Sequence, residues 1–586
     1  MNITLLYYIK QRDIRCAYMS TNSKIYDILQ FLSQKSTITI HFKPPEKQTL
    51  LRHIYSVEIN TDPVTYPTGF SRCRVQDPAW PGKTICEPRP SFTYEDVAIL
   101  PSTEHKFLGV SLDEELRWNV QGEKAIVKVV KWTLLAHRLT KPSTGVCATY
   151  MRQLYCTAAI PKFTYAADMW YTPVQKKEGR KKAMGSVGLV RKLTSVQRLS
   201  TIAITGAMCT TASDILEAHA NVLPIELLLL GICHRAFSQM LALPKSHPLH
   251  HPLHSCTCWL VKRHPSPLHT LSHIFGLELD AYEEIMPFTH VPNTPRCYST
   301  NIATSREESK EEGADDMADT KVFTDGSGTK GETGAAAVLY KKGRKIADPK
   351  YHLGTLAEHT TYEAEAVRVL LGLKLLQCMK DVKKATIFLD NQGVIQAIGH
   401  HQPKSAQYIL GQIHELANRV ATPSRRWRID LLISWISGHD GVRSNEEVDA
   451  EAKRAAAGDN SQLSDLPPLL EAKPLPYSLA AVQQAFRADV RQDWRSQWQL
   501  SPCYTRMSKI DDNLPSQSYL SDTAGLTRAQ SSLITQLRTG HALLNQHLYR
   551  IKQVPTPLCP ACSRADESTH HYLFECRAHE HARYKL

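Results

Sequence analysis

A run of strand and helix patterns over residues 321–457 constrains the fold of this 586-residue chain more than any other feature. Three strand-like stretches with short turns between them open the run and predict an antiparallel meander. A helix over 360–377 follows, and then a near-continuous apolar strand of the kind found in sheets that are covered on both faces. Further helices and a fifth strand over 430–437 complete the pattern. We therefore expect an α/β domain with a mixed five-stranded sheet and flanking helices.

Four acidic residues lie at the ends of these elements: Asp325 on the first strand, Glu365 in the first turns of the helix, Asp390 after the apolar strand and Asp449 on the last helix. Taken singly, each is more typical of a helix cap or of a partner for a helix dipole. The topology can nevertheless bring all four to one end of the sheet. Carboxylates that converge repel one another unless a cation neutralises them, and hard oxygen ligands favour Mg²⁺ or Mn²⁺.

At these residues the sequence resembles the ribonuclease H family in four motifs that follow in order: TDGSG, TTYEAE, LDNQ and WISGHDGVRSNEEVDAEAKR. The family spacing selects Glu365 rather than Glu363 as the second carboxylate. The resemblance implies a ribonuclease H-like fold and an endoribonuclease that hydrolyses the RNA strand of RNA–DNA hybrids with two divalent ions. It also implies that the catalytic carboxylates hold these ions: Asp325, which would bridge both, with Glu365, Asp390 and Asp449.

The resemblance implies roles for three side chains outside this carboxylate set. His439 lies ten residues before Asp449, at the family spacing, and would act as a proton shuttle because an unperturbed imidazole titrates near neutral pH. An ordinary loop histidine is the alternative. Gln392 and Asn445 are candidates for contacts to the sugar or the minor groove, where the 2′-hydroxyls distinguish RNA from DNA.

The segment before this domain resembles another part of a retroelement. His105–Trp118 looks like the end of the reverse transcriptase palm in non-LTR retrotransposons, and the helical stretch after it, with LPIEL at 223–227, resembles the thumb and connection. Without the resemblance, a generic basic helical domain remains the alternative. The two Asp-Asp pairs, Asp315–Asp316 and Asp511–Asp512, lack the aromatic context of a polymerase hairpin. We expect that the chain begins after the polymerase site and that it does not synthesise DNA.

The C-terminal region carries three cysteines and a histidine at the spacing C-x2-C-x8-H-x4-C. Three thiolates and one imidazole suit a tetrahedral zinc knuckle of structural type, and free buried cysteines are the alternative. His570, His579 and His581 compete for the position of the fourth ligand. The preferred ligand set is Cys559, Cys562, His571 and Cys576.

Composition divides the chain and limits its partners. We expect a palm remnant at 1–119, a helical region at 120–300, a flexible acidic linker at 301–319, the ribonuclease H domain at 320–459 and a helical region at 460–586. The net charge of +13 favours a nucleic acid partner, although a merely basic protein would share it. Fifteen scattered cysteines indicate a reducing compartment, the nucleus or the cytoplasm. The lack of a long apolar run indicates that the chain has no membrane span. The oligomeric state stays open.

Two functions remain at this stage. In the first, the chain is an active nuclease for RNA–DNA hybrids, which the complete carboxylate set favours. In the second, it is a retroelement remnant that binds nucleic acid through its basic helices and its zinc knuckle without cleaving it.

Overall fold

The structure, a computed structural model, describes four short strands within 74–99 and most of the chain after them. The remaining described residues are 104–113, 117–141, 145–176, 179, 182–258, 266–286, 295–398, 402–424, 427–437, 443–471 and 474–585. They form two compact units. One unit combines the described residues up to Cys233 with Arg491–Leu586, and the other is His234–Val490.

The second unit contains the central sheet and its helices. Its elements in chain order are β1 Ser299–Asn301, α1 Arg306–Asp315, β2 Thr320–Thr329, β3 Glu332–Lys341, β4 Arg344–Ala347, β5 Lys350–Thr355, α2 Thr361–Cys378, β6 Lys384–Leu389, α3 Gln392–Ile398, α4 Gln407–Ala421, β7 Asp430–Trp435 and α5 Arg443–Ala456. Helices His250–Cys258 and Pro267–Phe275 precede the sheet, and Leu463–Asp465 and Pro468–Glu471 are single turns after it.

The sheet is mixed and has seven strands in the order β4-β3-β2-β6-β7-β1, with β5 also paired to β3. Strand β3 runs antiparallel to β2, β4 and β5, whereas β2, β6, β7 and β1 are parallel neighbours. The centre of the sheet is therefore parallel, and β6 ends beside the middle of β2, whose pairing with β6 stops at Phe323.

Helices cover both faces of this sheet, as the apolar strand predicts. Helices α2 and α4 bury one face in a continuous core that includes Val322, Val367 and Ile413. Helix α5 covers the other face, where Val448 packs near the stacked rings of Phe323 and Phe388. Burial of this kind contributes roughly 1.5–3 kcal/mol for each large apolar side chain, so the sheet is a rigid base for groups at its edge.

Two predictions about this region are wrong. The sheet has seven strands rather than five, because the third predicted strand is divided into β4 and β5 at Asp348–Pro349 and β1 joins the opposite edge. The predicted flexible linker at 301–319 contains helix α1. Ser309 of that helix is buried, donates to the backbone oxygen of Trp435 and accepts from the backbone N–H of Ser437.

The unit also extends beyond the domain limits predicted at 320 and 459. The buried Glu283 carboxylate accepts hydrogen bonds from the Ala406 N–H at 2.6 Å, the Leu479 N–H at 2.8 Å and the Ser405 hydroxyl. These contacts tie segments on both sides of the sheet domain to the start of α4.

The first unit contains hairpins and helices. Its strand pairs are Arg74–Gln76 with Thr84–Cys86, Phe92–Tyr94 with Val97–Ile99, and Glu104–Phe107 with Val110–Asp113. Its α-helices and the two that run on across the unit boundaries are Asn119–Leu139, Ala148–Leu154, Ile160–Phe163, Ala167–Trp170, Val187–Thr205, Ser213–Ala220, Ile225–Leu241, Leu479–Gln499, Tyr504–Met507, Ser518–Asp522, Arg528–Thr539, Asn545–Arg550 and Glu580–Tyr584. Single π- or 3-10-helical turns occupy Tyr155–Ala159, His571–Glu575 and Arg577–His579.

Among the described residues, no single helix is long and apolar enough to cross a membrane. The helices Ser213–Ala220 and Ile225–Leu241, bent by 51° at their junction, reach that length and composition only as a pair.

Candidate active site

Three of the predicted carboxylates converge where β6 ends, beside the part of β2 that follows its pairing with β6. One oxygen each from Asp325, Glu365 and Asp390 lies within 4.8 Å of the others. Strands β2 and β6 are parallel, with Phe323 opposite Phe388, so Asp325 and Asp390 both follow that pair by two residues. The Trp435 indole N–H donates to the backbone oxygen of Asp390 at 3.0 Å and helps to fix this strand end.

Two glutamates at the start of the helix have different tasks: Glu363 caps the helix, and Glu365 reaches the cluster. The Thr360 hydroxyl accepts from the Glu363 N–H at 3.2 Å, and the Glu363 carboxylate accepts from the Thr360 N–H at 2.8 Å. This capping box begins α2 and leaves Glu365, two residues on, facing β2. Gly326 permits the approach, since a Cβ there would lie 3.0 Å from the Glu365 nitrogen.

A buried arginine lies among these carboxylates. The Arg368 side chain has no exposed surface, and its Nη1 lies 2.7 Å from Asp390 Oδ1 and 3.3 Å from Asp325 Oδ1. Its Nη2 contacts Glu365 Oε2, and Nη1 also donates to the Thr324 backbone oxygen at 2.9 Å. The sequence analysis missed this residue, although a basic side chain inside the apolar stretch VRVLLGL was a signal for it.

The cluster has more negative charge than Arg368 neutralises. Burial raises the pKa of Asp325 to about 7, the Arg368 charge opposes the rise, and the charges of Asp390 and Asp449 add to it. Burial also raises the pKa of Glu365 to about 7, again against Arg368 and with help from Asp390 and Asp325. A further cation would stabilise the ionised form of both groups.

Asp449 is near this cluster but outside the group of three. It lies on α5 and its carboxylate pairs with Lys453, one turn later, at 2.7 Å. Its charge still acts on Asp325, which shows that the two groups are close enough to interact. The structure therefore brings three of the four predicted carboxylates into contact range and leaves the fourth beside them.

The other predicted residues of this site are spread along nearby helices. Gln392 is the first residue of α3, Asn445 lies in the first turn of α5, and both are half-buried. His439 lies outside the described residues.

A second cluster of candidate ligands lies in the C-terminal part of the first unit. Ligand atoms of Cys559, Cys562, His571 and Cys576 all lie within 4.8 Å of one another. The Cys559 and Cys576 sulfurs are 3.8 Å apart, and Cys562 Sγ lies 3.3 Å from His571 Nε2. His570, by contrast, is exposed and pairs with Glu575 at 3.1 Å.

The electrostatics of this second cluster differ between its thiols. Backbone N–H donation, first from Arg564, together with the neighbouring His571, lowers the pKa of Cys562 to about 6. Burial raises the pKa of Cys559. Thiolates are the form that binds zinc, so the lowered pKa favours Cys562 as a ligand, whereas the raised pKa of Cys559 disfavours its thiolate.

Comparison with known proteins agrees with the geometry of the first cluster. Residues 317–457 match the family model described as RNase H. A ribonuclease H from Xanthomonas axonopodis pv. citri (strain 306) is 30% identical over 157 residues, which are 25% of this chain and 99% of that protein. The crystal structure of RNase H1 from the halophilic archaeon Halobacterium salinarum NRC-1 is 17% identical, covers 24% of this chain and 98% of its own, and has a TM-score of 0.19. On the sequence matches, this chain belongs to the ribonuclease H family.

Proposed function

We propose that this protein is an endoribonuclease that hydrolyses the RNA strand of RNA–DNA hybrids with two divalent ions, Mg²⁺ or Mn²⁺. The observation that carries the proposal is the convergence of Asp325, Glu365 and Asp390 near the end of a central strand in a ribonuclease H domain. Three carboxylate oxygens this close repel one another and are the hard donors that such ions prefer, so these residues fit the group. The charge of Arg368, 2.7 Å from Asp390, opposes the binding of such ions.

Each residue has a defined task in this proposal. Asp325 would contact both ions, and Glu365, Asp390 and Asp449 would complete their coordination. When bound, the ions supply an activated water and neutralise the leaving oxygen. His439 would carry a proton at the product phosphate, since it precedes Asp449 by ten residues, as in the family, and imidazole titrates near neutral pH.

Substrate recognition would use polar groups at the starts of two helices. Gln392 follows Asp390 by two residues, and Asn445 precedes Asp449 by one helical turn. Both residues are therefore close in sequence to a carboxylate of the proposed site. Amide side chains there can hydrogen-bond to the 2′-hydroxyl, which only the RNA strand offers.

The test is cleavage of an end-labelled RNA–DNA hybrid by the full chain with Mg²⁺. We expect cutting of the RNA strand by the wild type, loss of cutting in Asp390→Asn and loss on addition of EDTA. Asp430→Asn is the matched control, because Asp430 is exposed at the start of β7. Hybrid binding by the wild type without cleavage would overturn the nuclease proposal, and cutting that survives EDTA would overturn the metal mechanism.

One observation favours the second candidate, a protein that binds nucleic acid without cleaving it. Arg368 already supplies a positive charge to all three carboxylates, and it does so without metal. If that charge excludes the ions, the domain keeps its fold and loses its chemistry. The cleavage assay above separates the two candidates directly.

We also propose that the chain derives from a non-LTR retrotransposon. The support is the resemblance of His105–Trp118 and of the helices after it to the end of a reverse transcriptase. Within the described residues, this region forms the hairpin Glu104–Phe107 with Val110–Asp113, followed by the helix Asn119–Leu139.

We propose that the second cluster binds one structural Zn²⁺ through Cys559, Cys562, His571 and Cys576. The support is the closeness of three sulfurs and one imidazole nitrogen, which is the donor set of a tetrahedral zinc site. Metal analysis should find one equivalent of zinc in the wild type and in Cys209→Ser, whose thiol is exposed and free, and none in Cys562→Ser. An equal zinc content in all three proteins would contradict this zinc site.

A further inference from the structure

Arg368 is a cation built into the carboxylate cluster. It extends from α2, three residues after Glu365, and its guanidinium touches all three carboxylates from the interior of the domain. A fully buried charge is expensive unless it is paired, and three converging carboxylates are expensive unless they are neutralised. The arginine and the cluster therefore stabilise each other in the absence of metal.

The pairing is electrostatic but incomplete. Nε and Nη2 of Arg368, Oε2 of Glu365 and Oδ1 of Asp390 are buried and, among the described residues, have no partner with hydrogen-bond geometry. The guanidinium therefore donates a hydrogen bond to Asp325 Oδ1 at 3.3 Å but supplies only charge at short range to Glu365 Oε2 and Asp390 Oδ1. Buried acceptors left in this state retain a strong preference for a further donor or cation.

The carboxylates of the cluster are partly exposed to solvent, whereas Arg368 is not. The Asp390 side chain is 31% exposed, whereas those of Asp325 and Glu365 are 16% and 13% exposed. An ion can thus reach the Asp390 side from solvent while Arg368 remains in place. That ion meets a positive charge that already interacts with the same oxygens, and like charges at this distance repel.

We propose that Arg368 holds the three carboxylates together without metal and, by its charge, weakens divalent-ion binding at this site. Arg368 is thus a positioning residue, and its charge raises the concentration of divalent ion at which the site is occupied. The ligand class rests on the proposed nuclease function, but the effect is a property of metal binding and can be measured without cleavage.

The experiment is calorimetric titration of the full-length protein with Mn²⁺. Asp390→Asn identifies the part of the heat that belongs to this cluster. Arg368→Met keeps an unbranched side chain and removes the charge, and Lys374→Met is the matched control. Lys374 lies on the same helix, is largely buried and pairs with Glu471 at 3.8 Å, outside the cluster.

We expect Arg368→Met to bind Mn²⁺ at least about tenfold more tightly than the wild type, a difference of about 1.4 kcal/mol. Lys374→Met should bind as the wild type does. Thermal unfolding should show that Arg368→Met is less stable than the wild type in EDTA and gains more from saturating Mn²⁺. An unchanged dissociation constant in folded Arg368→Met would overturn the proposal.

A second variant covers the case in which Arg368→Met does not fold in EDTA. Arg368→Gln removes the charge and keeps an amide that can donate to the Thr324 oxygen, and it should show the same tightening. If both neutral variants stay unfolded even at saturating Mn²⁺, metal charge cannot replace the guanidinium, and the proposal is overturned. Failure of the wild type to cut hybrids would instead overturn the nuclease function and leave these titrations valid.

Discussion

Glu363 and Glu365 lie two residues apart in the first turns of α2, yet their carboxylates face different partners. Glu363 is buried in the capping box with Thr360, whereas Glu365 faces Asp325 and Arg368. The family spacing selected Glu365 from the sequence, and helix geometry explains why the two cannot exchange roles. The sequence did not disclose Arg368 as a member of the site, because its contacts join side chains from β2, α2 and the end of β6.

The capping box and the cluster should respond to different substitutions. Thr360→Ala should lower the free energy of unfolding by about 1 kcal/mol and leave hybrid cleavage within a few-fold of the wild type. Glu365→Gln should leave α2 folded and reduce the cleavage rate by at least about 100-fold, since it removes one of the carboxylates proposed to hold the ions. Denaturant unfolding and initial-rate assays measure both effects. Equal loss of activity in the two variants would show that the cap itself sets the active geometry.

Glu283 is a buried carboxyl outside the site, and it makes stability depend on pH. Burial raises its pKa to about 7, hydrogen bonds from Ser405 and from two backbone N–H groups oppose the rise, and the Glu363 charge adds to it. An unfolded glutamate titrates near pH 4.3 or so. The folded state therefore binds this proton more tightly, and the resulting stability is complete below the unfolded pKa and is lost as pH rises through about 7.

Glu283→Gln should flatten this pH dependence. Between about pH 5 and about pH 7 the wild type should lose stability relative to the variant, by at most about 1.4 kcal/mol per unit of pH for one group. Glu415→Gln, an exposed position on α4, is the control and should keep the wild-type slope. Urea unfolding at several pH values measures the slopes. A parallel pair of curves for wild type and Glu283→Gln would refute the assignment.

At the scale of elements, the sequence predicted those whose own side chains carry the pattern. Strands β2 and β6 and helix α2 follow from alternation, apolar runs and the threonine cap. Strand β1 could not be predicted, because Ser299–Asn301 has no apolar residue and pairs only through the free edge of β7. Helix α1 has a capping signal in the sequence, a serine three residues before a glutamate, and the Ser305 hydroxyl accepts from the Glu308 N–H at 3.1 Å. The acidic composition of the segment led instead to the prediction of a linker.

The contact of α5 with β3 depends on a glycine. A Cβ on Gly334 would lie 2.1 Å from the backbone nitrogen of Ala456, so Gly334→Ala must displace the end of α5, the helix that carries Asp449. We expect a loss of roughly 1–3 kcal/mol in stability, as in overpacked cores, and a reduced cleavage rate. Gly411→Ala is the control, because Gly411 lies within α4 and a Cβ there would have no atom within 4 Å. This substitution should raise the free energy of unfolding by up to about 1 kcal/mol. Unchanged stability in Gly334→Ala would contradict the close packing.

At the scale of the whole molecule, the two candidate sites belong to different compact units. The carboxylate cluster lies in His234–Val490, and the Cys₃His cluster lies in the unit that includes Arg491–Leu586. Family patterns in the sequence predicted both candidate ligand sets, and the structure brings most of these residues together. The unit boundaries were not predictable in this way, because they depend on long-range contacts such as those of Glu283.

This division predicts two separable thermal transitions in the full-length protein. Cys562→Ser should abolish the proposed zinc site and lower only the transition of the unit that contains it, because structural zinc contributes directly to folding. Thr360→Ala should lower only the other transition, by about 2–4 °C for a loss of about 1 kcal/mol in a unit of this size. Differential scanning calorimetry of the wild type and both variants measures these shifts, and hybrid cleavage should persist in Cys562→Ser. A single transition that moves in both variants would show that the two units unfold together, and the proposed zinc site would then stabilise the ribonuclease H domain as well.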